Sequence, residues 1–442
     1  MNLPIRTARP HRPTPQFDSL PGPESIGRRA FPNGSVGLAW ENQSSSSVFV
    51  YGWLWVGSVD EPPEQAGLAN LTASLLTRGT ETRTMLEISE EIESLGAAIG
   101  FHSGGHTTAF TAQCLLEDLD QVLEVLADCL YRPTFPPEQV ERRRGQILTN
   151  LEQRKHNTRA MANLRYYELM YPNHPYGRSA IGYPDTIEGL TRDDVLAFYQ
   201  TRYGARRAGA AIAGPLPTAQ ALDRLGNVLG AWQGAAYESP ALPRVAAPHA
   251  IHETYTPIPD KAQSDIYIGW LALRRSDPDY IPAHVANCVL GQFGMMGRLG
   301  ELVREQLGLA YYSFSSLEAG LELGTWTAIA GVAPQNLDRA LESILAEVKR
   351  IQTEPVLEAE LADNKAFLIG SLPLRLETKE RVTYQIAHME RLQLGLDYLR
   401  RYPSLIQAVT PDDILAVTRK YMHPDRYVLS VAGPPAEPPD KE

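Results

Sequence analysis

Apolar residues recur at strand spacing in VFVYGWLWV (48–56) and again in DIYIGWLAL (265–273), which predicts a strand in each place. After each strand the period lengthens to that of a helix. A further helix then ends at glycine, in ESLG (93–96) and in REQLG (304–308). Strands such as HTTAFTAQC (106–114) come next. They precede a helix with apolar residues at 119, 122, 123, 126 and 130, and a long helix over roughly 136–156. Each series closes with a helix that opens on Thr191 or Thr410 as N-cap, with two acids in its first turn. A short apolar strand follows, AGAAIAG or YVLSVAG.

The order repeats because the sequence does. GWL at 52–54 returns at 269–271, and Leu119-Asp120…Leu123-Glu124 returns as Leu337-Asp338…Leu341-Glu342. LTRDDVLAFYQTRY (190–203), followed by AGP, returns as VTPDDILAVTRKY (409–421), again followed by AGP. The offsets are 217, 218 and 219, so the chain reads as a duplication whose copies are each a domain. Runs of strands with helices between them predict an α+β fold, each domain a mainly antiparallel sheet covered by helices. The expected boundaries are an extended or disordered arm at 1–32, a first domain at 33–233, a Pro-rich linker or connecting strand at 234–263, and a second domain at 264–436.

Composition narrows the function classes. The net charge of -11 argues against a nucleic-acid partner, and the one short basic cluster, ERRR at 141–144, is expected on a solvated helix face. Cys114, Cys129 and Cys288 are far apart and form no CxxC pair, so they are expected as small core residues. No apolar run reaches transmembrane length and no signal-like N-terminus is present, so a cytoplasmic protein without membrane contact is expected. His102 and His106 are expected on strand or loop, and His174, His284 and His388 in structural settings. GQFGMMG (291–297) lacks the Lys-Ser/Thr ending of a phosphate loop and reads as a connection.

One helix is unusual. In LANLTASLLTRGT (68–80), Leu68, Leu71 and Leu75 can face a core, while Asn70, Ala73, Ser74 and Thr77 share another, weakly polar face. This stretch, RRRGQILTNLEQRK (142–155), HPYGRSAIGYPDTIEGL (174–190) and GRLGELVREQLGLAYYS (297–313) resemble the pitrilysin and mitochondrial-processing-peptidase family of zinc peptidases over about residues 33–434. The resemblance implies the LuxS/processing-peptidase-like metallohydrolase fold. Active members carry His-x-x-Glu-His on a helix, where two histidines bind zinc and the glutamate serves as base, and a later glutamate completes the set. Matching on Arg78-Gly79-Thr80 puts Asn70, Ala73 and Ser74 at those positions, and matching on Arg144-Gly145 puts Asn150 at the distal one. No zinc is therefore expected in this chain. Glu152 is about 200° around the helix from Asn150 and offers no substitute.

The second copy keeps what the resemblance assigns to it, an arginine and a tyrosine seven residues apart that bind substrate and stabilise the carbonyl oxygen. Arg304 and Tyr311 match that pair, whereas the first copy has Ile92 and Ile99 at the equivalent places. The expected function is a non-zinc subunit supplying Arg304 and Tyr311 to a homologous partner that carries the motif and the zinc, acting on unfolded peptide. The alternative is a non-catalytic peptide-binding or scaffold homologue, possibly homodimeric.

Overall fold

The computed structural model describes residues 20–294 and 296–435. The first half runs β1 (Ile26–Ala30), β2 (Val36–Glu41), β3 (Ser47–Leu54), α1 (Leu68–Leu75), α2 (Met85–Ser94), β4 (Ala98–Ser103) and β5 (Thr108–Leu115). It continues with α3 (Leu119–Tyr131), α4 (Pro137–Arg154), α5 (Thr158–Met170), α6 (Pro184–Gly189), α7 (Arg192–Arg202), β6 (Gly209–Gly214) and α8 (Thr218–Leu225). The second half runs β7 (His252–Pro257), β8 (Ser264–Leu271), α9 (Tyr280–Gly291), α10 (Gly297–Leu299), a π-helix (Gly300–Gln306), β9 (Ala310–Leu317) and β10 (Thr325–Val332). It ends with α11 (Leu337–Thr353), α12 (Glu358–Gly370), α13 (Leu372–Arg375), α14 (Lys379–Arg391), α15 (Tyr398–Ala408), α16 (Pro411–Tyr421) and β11 (Val428–Gly433).

The sheets carry the duplication. Their strand orders are β1-β2-β6-β3-β5-β4 and β7-β11-β8-β10-β9. Without β1, the first order maps strand for strand onto the second. Each has one parallel pair, β2 with β6 and β7 with β11, and is otherwise antiparallel. The repeated caps form as expected: Thr191 accepts from the Asp194 N–H and Thr410 from the Asp413 N–H, and each aspartate accepts in return.

Two boundaries move. Residues 26–30, expected in the arm, form β1, because Ile26–Ala30 pairs with Val36–Trp40 and covers the β2 edge. Residues 252–257, within the stretch expected as a linker or connecting strand, form β7 of the second sheet, the counterpart of β2, held by the parallel ladder to β11. Residues 231–251 hold no helix or strand, and residues 1–19 of the expected arm and 436 of the second domain lie outside the described ones.

Each half lends a helix to the other. α5 packs on β8 and β11 of the second sheet, and α14 packs on β3 and β6 of the first. They begin 221 residues apart, so the exchange is reciprocal. On the α5 side, Thr158 Oγ1 donates to Asp265 Oδ2 at 2.5 Å, and Thr327 Oγ1 donates to the buried Tyr166 hydroxyl at 3.2 Å. Gly269 in β8 makes room, since a Cβ there would strike that hydroxyl. On the α14 side, Lys379 Nζ donates to the carbonyls of Ser45 and Ser47 at 2.6 and 2.9 Å, and the Tyr384 ring packs against Phe49 and Tyr51. One apolar cluster therefore joins Ile26, Val36, Leu38, Trp53 and Ala211 of the first sheet to Val382, Ile386 and Met389 of α14.

The three cysteines are buried and unpaired, and burial pushes their thiols up to about 12. Among the described residues no helix is long and apolar enough to cross a membrane.

Candidate functional site

α1 is held at its N-terminus by Glu61. The Glu61 carboxylate accepts the N–H groups of Gly67 and Ala69, both at 2.9 Å, which are among the donors a helix start leaves unpaired. Burial nonetheless raises its pKa to about 7. Leu68, Leu71 and Leu75 enter the first core, as their spacing requires.

The opposite side of α1 faces α4. Asn70 and Ser74 are half-buried, whereas Ala73 is only 1% exposed, so the position matched to a catalytic base is packed methyl. Asn150 is exposed on α4. The space next to Ser74 is taken by Arg143, whose Nε donates to Ser74 Oγ at 2.9 Å. Ser74 Oγ in turn donates to the Leu71 carbonyl at 2.8 Å, and Arg143 Nη1 donates to Gln146 Oε1 at 3.2 Å. This corrects the expectation of a solvated face for Arg143 and Arg144, while Glu141 and Arg142 are exposed. Arg143 turns into the α1–α4 groove, and Arg144 donates to the Leu190 carbonyl at 2.9 Å. The donor set here does not fit a zinc ion, because amide and hydroxyl groups are poor ligands and the guanidinium is already a fixed cation. Among the described residues no group of three or more His, Cys, Asp or Glu side chains is arranged to hold a metal.

Arg304 and Tyr311 stand in the second half on adjoining elements. The helix expected to end at Gly308 is wound as a π-helix, with the Leu307 N–H bonded five residues back to Leu302 at 3.0 Å. Gly308, at φ +63°, turns the chain into β9 as expected. Arg304 lies in the last π-turn, and its one ion pair among the described residues is with the adjacent Glu305, at 3.4 Å. Tyr311 is the second residue of the edge strand β9 and is 66% exposed. No hydrogen bond joins the two among the described residues. Strand alternation separates Tyr311 from Tyr312, which points the other way and donates to Asp265. In the first half, Ile92 is buried on α2 and Ile99 is half-buried on β4, so the equivalent places there are packing positions.

A feature the sequence reading missed is a cleft of about 820 Å³ between the halves, lined among others by His102, His106, Tyr176, Glu318 and Arg391. His106 Nε2 and the Tyr176 hydroxyl share a hydrogen bond, Tyr167 donates to Glu318 at 2.6 Å, and Arg391 donates to the Tyr51 hydroxyl at 3.1 Å. Burial lowers the pKa of His106 and lowers that of His388 to about 4, so both are neutral at pH 7. No local signal announces the cleft, because the helix exchange assembles it from segments hundreds of residues apart. Read by themselves, HPYG is a loop and HSGGH a strand or loop, and His102 indeed lies on β4. His174 is buried and accepts the Tyr176 N–H, and His284 shares a hydrogen bond with Tyr402 at 3.0 Å, both in structural settings.

Comparison with known proteins agrees with this architecture. Residues 38–183 match the family described as insulinase (peptidase family M16), and residues 189–368 match the peptidase M16 inactive domain. An uncharacterised zinc protease of Streptomyces coelicolor is 28% identical over 428 residues, covering 94% of this chain and 92% of that one. The beta subunit of the mitochondrial-processing peptidase of Mus musculus is 25% identical over 421 residues, covering 91% and 83%. Among solved structures, a peptidase M16 inactive domain from Pseudomonas fluorescens covers 93% of this chain and all of its own, with a TM-score of 0.86 at 24% identity. A protease from Helicobacter pylori covers 94% of this chain with a TM-score of 0.85 at 18% identity. With two sheets of the same order and family matches across both halves, this chain belongs to peptidase family M16.

Proposed function

We propose that this chain is the subunit without zinc in a two-chain zinc peptidase, lending Arg304 and Tyr311 to the metal site of a homologous partner that carries His-x-x-Glu-His. The observation behind this reading is a contrast between two places. The α1–α4 groove has exchanged ligands and base for Asn70, Ala73, Ser74 and Asn150, while Arg304 and Tyr311 remain accessible donors at one sheet edge. A guanidinium and a phenol there can bind a peptide carbonyl and stabilise the negative charge that develops on its oxygen. Unfolded peptide can add to a free sheet edge through its backbone, and β4 and β9 are such edges.

The test is co-expression with a homologue bearing the intact motif, followed by peptide cleavage. The chain alone is expected to be inactive and the complex active. Arg304→Ala and Tyr311→Phe are each expected to lower the complex's kcat by about 10²–10³, the usual cost of one oxyanion donor, with zinc content unchanged. Unchanged cleavage in both variants would show that the site is not shared.

A further inference from the structure

The chain has carboxylates in surplus, 52 acidic residues against 41 Lys and Arg. Arginines near the first core use them. Arg83 alone reaches Glu91, Glu124 and Asp128. Against that background the α1–α4 groove is anomalous. Asn70, Ser74 and Arg78 follow one another at i, i+4 and i+8 on α1 and its C-terminal turn, and Arg143, Gln146 and Asn150 share one face of α4. Neither Arg78 nor Arg143 forms an ion pair among the described residues. Arg78 Nη1 has only the Met85 sulfur, at 3.4 Å, and Arg143 has only Ser74 and Gln146. Both side chains are half-buried. They are close enough that Arg78, added to burial, lowers the pKa of Arg143.

Two like charges withdrawn from water without a counter-ion are unfavourable by themselves. A carboxylate between them removes the repulsion and accepts two charge-assisted hydrogen bonds in the forked geometry that guanidinium provides. We propose that this groove, in which the motif's ligands are replaced, is a carboxylate-binding site, in which Arg78 and Arg143, with Ser74 fixing the second guanidinium, take a carboxylate of a bound peptide. α1, which forms one wall of the groove, also packs against the edge strand β4, an edge to which a peptide backbone can add. The site belongs to this chain alone and does not depend on Arg304, Tyr311 or a partner.

The experiment is calorimetric titration of the full isolated chain with short alanine-serine peptides. One has a free C-terminus, one is amidated and carries a single glutamate, and one is amidated without acid. Binding is expected for at least one carboxylate peptide and not for the neutral one. Which of the two carboxylate peptides binds tells a terminal from a side-chain source. Arg78→Gln and Arg143→Gln are each expected to weaken binding by about tenfold or more, and Arg143→Lys to recover part of it. Circular dichroism checks folding, and if Arg143→Gln does not fold, Arg78→Gln decides alone. Equal binding of the neutral peptide, wild-type affinity in the folded glutamine variants, or no peptide binding overturns the proposal. So does strong heat from inorganic phosphate where no peptide binds.

Discussion

At the scale of single residues, the α1–α4 groove turns on Arg143, whose guanidinium is fixed by Ser74. That fixed cation has a direct consequence for any metal. Introducing ligands and a base through Asn70→His, Ala73→Glu, Ser74→His and Asn150→Glu is expected to give weak zinc retention while Arg143 remains. Adding Arg143→Gln is expected to tighten it by about tenfold or more, the size of a typical effect from a group beside the ligands. Metal content after dialysis against a chelator measures both, and equal retention would show that Arg143 does not oppose the cation. Matching LANLTASLLTRGT to the family motif points to Asn70, Ala73 and Ser74, because those positions are tied to Arg78-Gly79-Thr80 by helical spacing. It does not point to Arg143, since a basic run on a helix ordinarily faces water, and only the packing of α4 on α1 turns this member inward. Glu61 makes a second residue-level prediction. Its folded pKa, about 7, exceeds the usual carboxyl value of 4.5, so the folded state binds the extra proton between them. Its stabilising contribution is full below pH 4.5 and is lost as pH rises through 7. The melting temperature of the wild type is expected to fall relative to Glu61→Gln between pH 5 and 8, and parallel curves would contradict the shift.

At the scale of elements, periodicity found the repeated strands, caps and terminal helices, because the GWL strands, Thr191 and Thr410 obey local rules that hold in both halves. It did not find the π-winding. Leu299, Val303 and Leu307 suit an α-helix as well as a π-helix, and the distinction rests on the hydrogen bond from Leu307 to Leu302. Nor did it find β1, whose sequence IGRRA is too polar to read as a core strand, and it gave the stretch holding β7, HETYTP, only as a linker or connecting strand; both strands form at sheet edges. The crossing helices carry a stability prediction. Tyr166 is fully buried between α5 and the second sheet, so Tyr166→Ala is expected to destabilise the protein by about 3–5 kcal/mol and Tyr166→Phe by about 1 kcal/mol. Urea denaturation measures both. Comparable losses in the two variants would mean that the hydroxyl, not the ring, dominates.

At the scale of the whole molecule, the duplication was readable from three matched offsets, but the exchange of α5 and α14 was not, because nothing local tells a helix which sheet it will cover. The exchange makes the halves interdependent. Residues 20–233 produced alone are expected to expose the face bearing Ile26, Val36, Leu38 and Trp53 and to bind a hydrophobic dye strongly, whereas the full chain does not. Weak dye binding by the fragment would show that the first half closes its own core. The same arrangement governs biosynthesis. A ribosome delivers the first sheet long before Lys379–Arg391, the helix that roofs it, has been translated. For that interval the nascent chain carries an open apolar sheet, and its soluble yield is expected to fall when chaperones that hold such chains are depleted.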